Sequence, residues 1–287
     1  MISGGNATVY VSDLDAAVEF YTRGLGLKLT NRFGDRWATI DAGPSYWTTS
    51  EEVGAGLTIG LHPRSPSHPA PGTIGGVGYG LETYTPIEDV AAGLAERGVR
   101  VDKEIVTFEA GKVVSLVDRD GTPTYVWEFT REMVAGGDPG ANDEGQAGAA
   151  APMVAGGHAI VYVSDMDRAV HFYTDTLGLR LTYRYGDNIA FVEAGKLLLA
   201  IHPQTPRTPT PGTKGSVMLG LTIDQPIDRV VSRLAAGGVR ISGAIVRTET
   251  ARFVEIEDPD GNAIYLWEED RRNVEGTEVE LEIVSAD

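Results

Sequence analysis

Histidine is scarce in this chain, five residues in 287, and three of the five stand where their side chains could do chemistry. His158 opens the segment HAIVYV, whereas the same place in an earlier, similar segment (NATVYV) holds Asn6. His62 and His202 are twins, each followed by proline. Two carboxylates, Glu128 and Glu268, are likewise twinned in the segments TYVWEF and IYLWEE. An imidazole titrates near neutral pH and ligates metals, and with carboxylates it forms the usual oxygen and nitrogen donor set for a divalent cation. Cysteine is absent, which excludes disulfides, thiolate metal sites and a thiol nucleophile.

These residues recur because the sequence repeats. Residues 4–30 (GGNATVYVSDLDAAVEFYTRGLGLKLT) return as residues 156–182 (GGHAIVYVSDMDRAVHFYTDTLGLRLT) at an offset of 152 residues. The echo resumes with LTIGLHP and LLLAIHP at an offset of 140. The first copy therefore carries 12 additional residues, within positions 44–56, where Tyr46 and Trp47 read as a lid, a contact patch or an ordinary hairpin cover. A repeat unit this long is a whole domain, not a turn of a solenoid. We expect domains over residues 1–130 and 156–270, a Gly/Ala-rich linker over 131–155, and an acidic tail over 271–287.

Within each copy the periodicity reads strand, helix and three strands, twice. His158, Ile160 and Tyr162 alternate with Ala159, Val161 and Val163, so one face of this strand lies under a helix and the other lines whatever the sheet encloses. Ser164 with Asp167, and Ser12 with Asp15, have the spacing of a capping box. Met166, Ala169, Val170, Tyr173 and Leu177 form the helix's apolar stripe, and Gly178 ends it. Strands are expected near 180–185, 189–193, 196–202, 217–223, 239–245, 252–257 and 263–268, with a helix over 226–236. A proline-rich stretch, HPQTPRTPTPGT, reads as a stiff crossover between modules.

The entry G-H-x-x-x-Y-V-S-D-M-D-R-A-V-x-F-Y, the LGL after the helix, the E-D-P-D-G-N turn at 257–262 and the closing YLWEE together resemble the vicinal oxygen chelate superfamily. This group includes glyoxalase I, extradiol dioxygenases and bleomycin-resistance proteins. The resemblance implies an α+β fold: four βαβββ modules forming two glyoxalase-like domains, with curved mixed sheets around a cavity. It places metal ligands at His158 and Glu268, with His202 as a third that shares strand parity with Ala200, and Glu268 as the only evident base. The fifth-strand ligand place holds Met218 in the second copy and Gly78 in the first, and the fourth-strand place holds Ala200 and Gly60. A thioether suits hard cations poorly, so the ligand set is incomplete.

Asn6, Glu128, Tyr162 and Met218 are expected to line the substrate cavity, with the first copy as the degenerate one. Glu82 shares parity with Gly78 and Gly80 and reads as either a cavity or a rim residue; His171 reads as surface, and His68 as part of the proline loop. For Glu128 and Glu268 the competing reading is a structural carboxylate at a strand end. Two functions follow. One is a divalent-metal-dependent lyase, isomerase or dioxygenase acting on a small oxygen-rich or aromatic molecule in the C-terminal cavity. The other is a metal-free protein that binds or sequesters a small molecule, as bleomycin-resistance proteins do. A purely regulatory or assembly role is a third possibility. With a net charge of −17, no basic stripe and no long apolar run, the chain is expected to be soluble and cytoplasmic, without nucleic-acid or membrane partners, as a monomeric pseudo-dimer or a homodimer.

Overall fold

A computed structural model describes residues 1–48, 54–108, 111–129, 153–248 and 251–269. Residues 131–152 of the expected linker, the acidic tail and positions 49–53 of the insertion lie outside the described residues. Among the described residues, sixteen strands and four α-helices follow the pattern read from the sequence. The first copy contains β1 (Ile2–Val11), β2 (Lys28–Phe33), β3 (Trp37–Pro44), β4 (Gly56–Pro63), β5 (Val77–Thr83), β6 (Arg100–Phe108), β7 (Gly111–Val117) and β8 (Pro123–Phe129). The second contains β9 (Gly156–Val163), β10 (Arg180–Tyr185), β11 (Ile189–Ala194), β12 (Leu197–Pro203), β13 (Val217–Ile223), β14 (Arg240–Arg247), β15 (Ala251–Glu257) and β16 (Ala263–Glu269). Helix α1 (Leu14–Glu19) and its repeat α3 (Met166–His171) each continue into a π turn, while α2 (Ile87–Glu96) and α4 (Ile227–Ala236) are regular.

The modules pair across the copies. β1 runs antiparallel to β13, with Asn6 opposite Gly220 and Thr8 opposite Met218. β9 runs antiparallel to β5, with His158 opposite Gly80 and Ile160 opposite Gly78. One curved eight-stranded half thus combines β1–β4 with β13–β16, and the other combines β5–β8 with β9–β12. We call them the Asn6 half and the His158 half. A single parallel pair, Gly56 with Leu197, joins them into one sheet. The helices cover one face: Ala159, Val161 and Val163 join Met166, Ala169 and Tyr173 in the main core, as the alternation requires. The two proline crossovers meet where Gly75 and Gly215 touch backbone to backbone.

The caps differ from expectation by one residue. Asp13 and Asp165 are the N-caps, accepting from the amides of Ala16 and Arg168. Ser12 and Ser164 instead donate to Asp120 and Asp260, because the turn before β8 or β16 comes within reach of the helix start. These bonds tie each helix to the turn before the last strand of the other module in its own copy, the module it does not share a half with.

Cross-copy pairing makes a direct prediction. With a protease site inserted within residues 138–150 and cut, the two fragments should still migrate together on size exclusion under native conditions and separate only in denaturant. Migration as two independent species would contradict the β1–β13 and β5–β9 pairings.

Candidate functional site

The inward face of each half is the one opposite the helices. In the His158 half, strand alternation points His158, Ile160 and Tyr162 inward from β9, Phe191 from β11, and Leu198 and Ala200 from β12. His158 is 3% exposed and Glu82, reaching in from β5, 2% exposed. The imidazole Nδ1–H donates to Glu82 Oε1 at 2.7 Å, since an ionised carboxylate only accepts. Its Nε2 lies 3.0 Å from the Tyr125 hydroxyl. Glu82 also accepts from Ser45 Oγ at 2.6 Å and from the Tyr46 amide at 2.7 Å. Burial, the neighbouring Tyr162 and the Glu82 charge push the Tyr125 phenol well above its usual value, so it remains protonated. The ring of Tyr125 lies over Gly80, where a Cβ would come within 2.4 Å of it.

The first copy's insertion closes this hollow. Trp47 stacks on Phe191, with centroids 5.0 Å apart and planes 17° from parallel, and contacts Tyr183 at 4.8 Å. Thr48 donates to Glu193 at 3.0 Å. The described part of this loop therefore packs against the second copy over this hollow.

The Asn6 half is built differently. Asn6 Oδ1 accepts from Thr8 at 3.1 Å. Trp37 lies across Gly60, donating its indole N–H to Thr39 at 2.8 Å; a Cβ on Gly60 would fall 2.2 Å from the indole. Tyr10, Met218 and Ala263 form a small apolar floor with Tyr265 packed against it. His68, from the proline crossover, stacks on Tyr10 at 4.1 Å and 22°, and bonds the Tyr265 hydroxyl through Nε2 at 3.0 Å. Burial, helped by His62 and Lys214, pushes the His68 imidazole down to about 4.

That shift sets a pH dependence. Between pH about 4 and the ordinary value of 6.5, the unfolded chain binds a proton at His68 that the folded chain does not. Stability linked to this group is therefore complete above 6.5 and falls as the pH is lowered through that window. His68→Gln should flatten this part of the profile, read as the difference in Tm between variant and parent from pH 4 to 7. An unchanged slope would show that His68 is not held neutral.

The structure does not bring the sequence-derived ligands together. Glu268 lies in the Asn6 half and His158 in the other. Glu268 shares strand parity with Ile264 and Leu266, which face the helices, so it too points that way. It accepts from the Ile227 amide at 3.1 Å, at the start of α4, and from Arg252 at 3.4 Å. Its twin Glu128 accepts from the Ile87 amide at 2.8 Å, at the start of α2. Both are helix-terminus acceptors, as the structural reading had it, and a carboxylate there also complements the helix dipole. His202 faces inward in the His158 half, edge-on to Tyr162 at 5.7 Å, but its Nδ1–H is committed to the Pro203 carbonyl at 2.8 Å. His62 repeats this at 2.6 Å, so the motif anchors the proline crossover in both copies. Of the expected cavity residues, Asn6 and Met218 fall in one half and Tyr162 in the other, while Glu128 faces the helices.

A divalent metal does not fit this donor set. Both nitrogens of His158 are engaged by Glu82 and Tyr125, and among the described residues no three His, Asp or Glu side chains are grouped to hold an ion. Sequence reasoning missed Tyr125 and Tyr265, although their twinned positions, three residues before each glutamate, put them on the opposite, inward parity.

Comparison with known proteins agrees with the fold. The Glyoxalase/Bleomycin resistance protein/Dioxygenase superfamily profile matches residues 5–129 and 156–266. Glyoxalase I from Zea mays superposes with a TM-score of 0.59 at 16% identity, over 93% of this chain and 92% of that one. A mutant of the same enzyme gives 0.61 at 15% identity, over 93% and 92%. A proposed dioxygenase from Bacillus subtilis gives 0.56 at 15% identity, over 94% and 86%. At these identities the likeness concerns the fold. Among the described residues no helix is long and apolar enough to cross a membrane. Two matches to one profile, on copies whose modules interlock strand to strand, establish that this chain belongs to the glyoxalase/bleomycin resistance protein/dioxygenase superfamily.

Proposed function

We propose that this chain is a metal-independent, small-molecule-binding member of its superfamily, taking a planar aromatic ligand in the Asn6 half. The carrying observation is the contrast between the two hollows. In the His158 half the chain's own indole, Trp47, already lies flat on Phe191, the position a planar ligand would take. The loop that would serve the Asn6 half in the same way, between β11 and β12, is a tight turn at Gly195 and carries no aromatic residue. There Trp37, His62, His68, Phe253 and Tyr265 are only partly buried, and the imidazoles are held neutral by burial. Flat rings on several sides with a few hydrogen-bonding edges suit an aromatic compound bearing one or two polar atoms. The metal-dependent enzyme reading needs further ligands beside His158, and among the described residues no three His, Asp or Glu side chains are grouped to supply them.

The test pairs elemental analysis with ligand titration. Naphthol-type compounds followed by fluorescence should bind with an affinity that chelators leave unchanged. Trp37→Ala should weaken that binding roughly tenfold, since one stacked contact is worth about 1 kcal/mol or somewhat more. Stoichiometric metal in the purified protein that disappears in His158→Ala would sink the proposal and restore the enzyme reading.

A further inference from the structure

A cavity of about 430 Å³ lies outside both hollows, between the π turn after α1, the α2–β6 turn and the β7–β8 turn, all in the first copy. We propose that it is a binding site for a small, multiply charged anion carrying phosphate or carboxylate groups. Four arginines line it: Arg23, Arg97, Arg100 and Arg119. They gather on a chain whose net charge is −17, where arginines have many alternative acidic partners. Arg23 and Arg119 share Glu19 at 3.5 and 3.0 Å, in exposed pairs that exchange partners at little cost. Arg97 and Arg100 have no ion-pair partner among the described residues. The other acid at the wall, Asp118, is buried, and its Oδ1 accepts from the amides of Asp120 and Thr122. Gly98 leaves open space at the wall, where Phe20 and Val99 are apolar and buried. Guanidinium groups present paired donors that match the oxygens of phosphate and carboxylate, and the volume is that of a small-molecule site.

The second copy is the control. The places of Arg23, Arg97 and Arg119 hold Asp175, Gly237 and Pro259. The fourth arginine is kept as Arg240, but there it is paired with Glu257, where the first copy has Val117. Arginine at a helix C-terminus complements the dipole, and that would account for Arg23 and Arg97. Yet the same helix ends in the second copy carry aspartate and glycine, so the fold does not require it.

Calorimetric titration of the full chain with inorganic pyrophosphate and with citrate tests the assignment. At low salt, at least one probe should bind saturably with one-to-one stoichiometry and weaken as salt rises; the better of the two indicates a phosphate or a carboxylate ligand. Changing Arg97 and Arg100 together to alanine should weaken it at least tenfold, about 1.4 kcal/mol, while Arg240→Ala leaves it unchanged. Both residues are exposed, so an unaltered Tm is expected in the double variant. Absence of binding for both probes overturns the proposal, as does equal affinity in the double variant or an equal loss in Arg240→Ala. Each outcome is independent of whether the Asn6 half binds an aromatic ligand.

Discussion

Glu82→Leu is expected to lower stability by about 3–5 kcal/mol, a drop in Tm on the order of 10 °C. The carboxylate is buried and accepts three hydrogen bonds, from His158, Ser45 and the Tyr46 amide. Leucine has nearly the right bulk but accepts none of them, so three donors lose their partner inside the protein. The loss also releases the Ser45–Trp47 segment from its anchor, so Trp47 fluorescence should shift towards that of a solvated indole. His158→Leu alone should destabilise as well, because it removes one of the three donors to a buried carboxylate. The two changes together should cost less than the sum of the singles by more than about 1 kcal/mol, the signature of residues in direct contact. Calorimetric unfolding of the four proteins measures this cycle; additivity would mean that the pair does not form.

The second large effect concerns the meeting of the crossovers. A Cβ on Gly75 would sit 2.3 Å from the Gly215 nitrogen and 2.6 Å from its Cα, and Gly215 faces Gly75 in the same way at 2.4 and 2.7 Å. These neighbours are backbone atoms, so no rotamer change relieves the clash; the strands β5 and β13 that follow must move apart. Gly75→Ala should therefore cost about 3 kcal/mol, the upper end for overpacking by one methyl group, and Gly215→Ala a similar amount. Gly78→Ala is the control: nothing lies within 4 Å of its Cβ position, so Tm should scarcely change. Equal behaviour of Gly75→Ala and Gly78→Ala would rule out the contact between the two copies at this point.

The glycines show how far a sequence can be read. Gly75, Gly76, Gly78 and Gly80 offer either a wider cavity or close backbone packing, and each glycine has its own answer. Gly75 permits the backbone contact, Gly80 admits the Tyr125 ring, and Gly78 faces open space. Nothing in the residue type distinguishes them, because what each one faces is decided by chain segments far away in the sequence. The twinned glutamates teach a complementary lesson. Their parity with Ile264 and Leu266, or with Val126, was legible all along; once the core face of β8 and β16 is known, Glu128 and Glu268 must point to the helices.

By itself the sequence determined the repeat, the four βαβββ modules, their strand boundaries to within a residue or two, and the inward face of β9. These follow from local periodicity and turn chemistry, which act over a few residues. It also determined that His158 has no histidine twin, since Asn6 occupies that place in the first copy. Only the tertiary structure decided that β1 joins β13 and β9 joins β5. Both pairing schemes bury the same faces of the same modules, so the hydrophobic pattern is indifferent between them. With that choice came the partners: His158 meets Glu82 and Tyr125 from the other copy, and Glu268 goes to a different half altogether. A strand's alternation fixes which way a side chain points, but what it meets there depends on the strand hydrogen-bonded alongside.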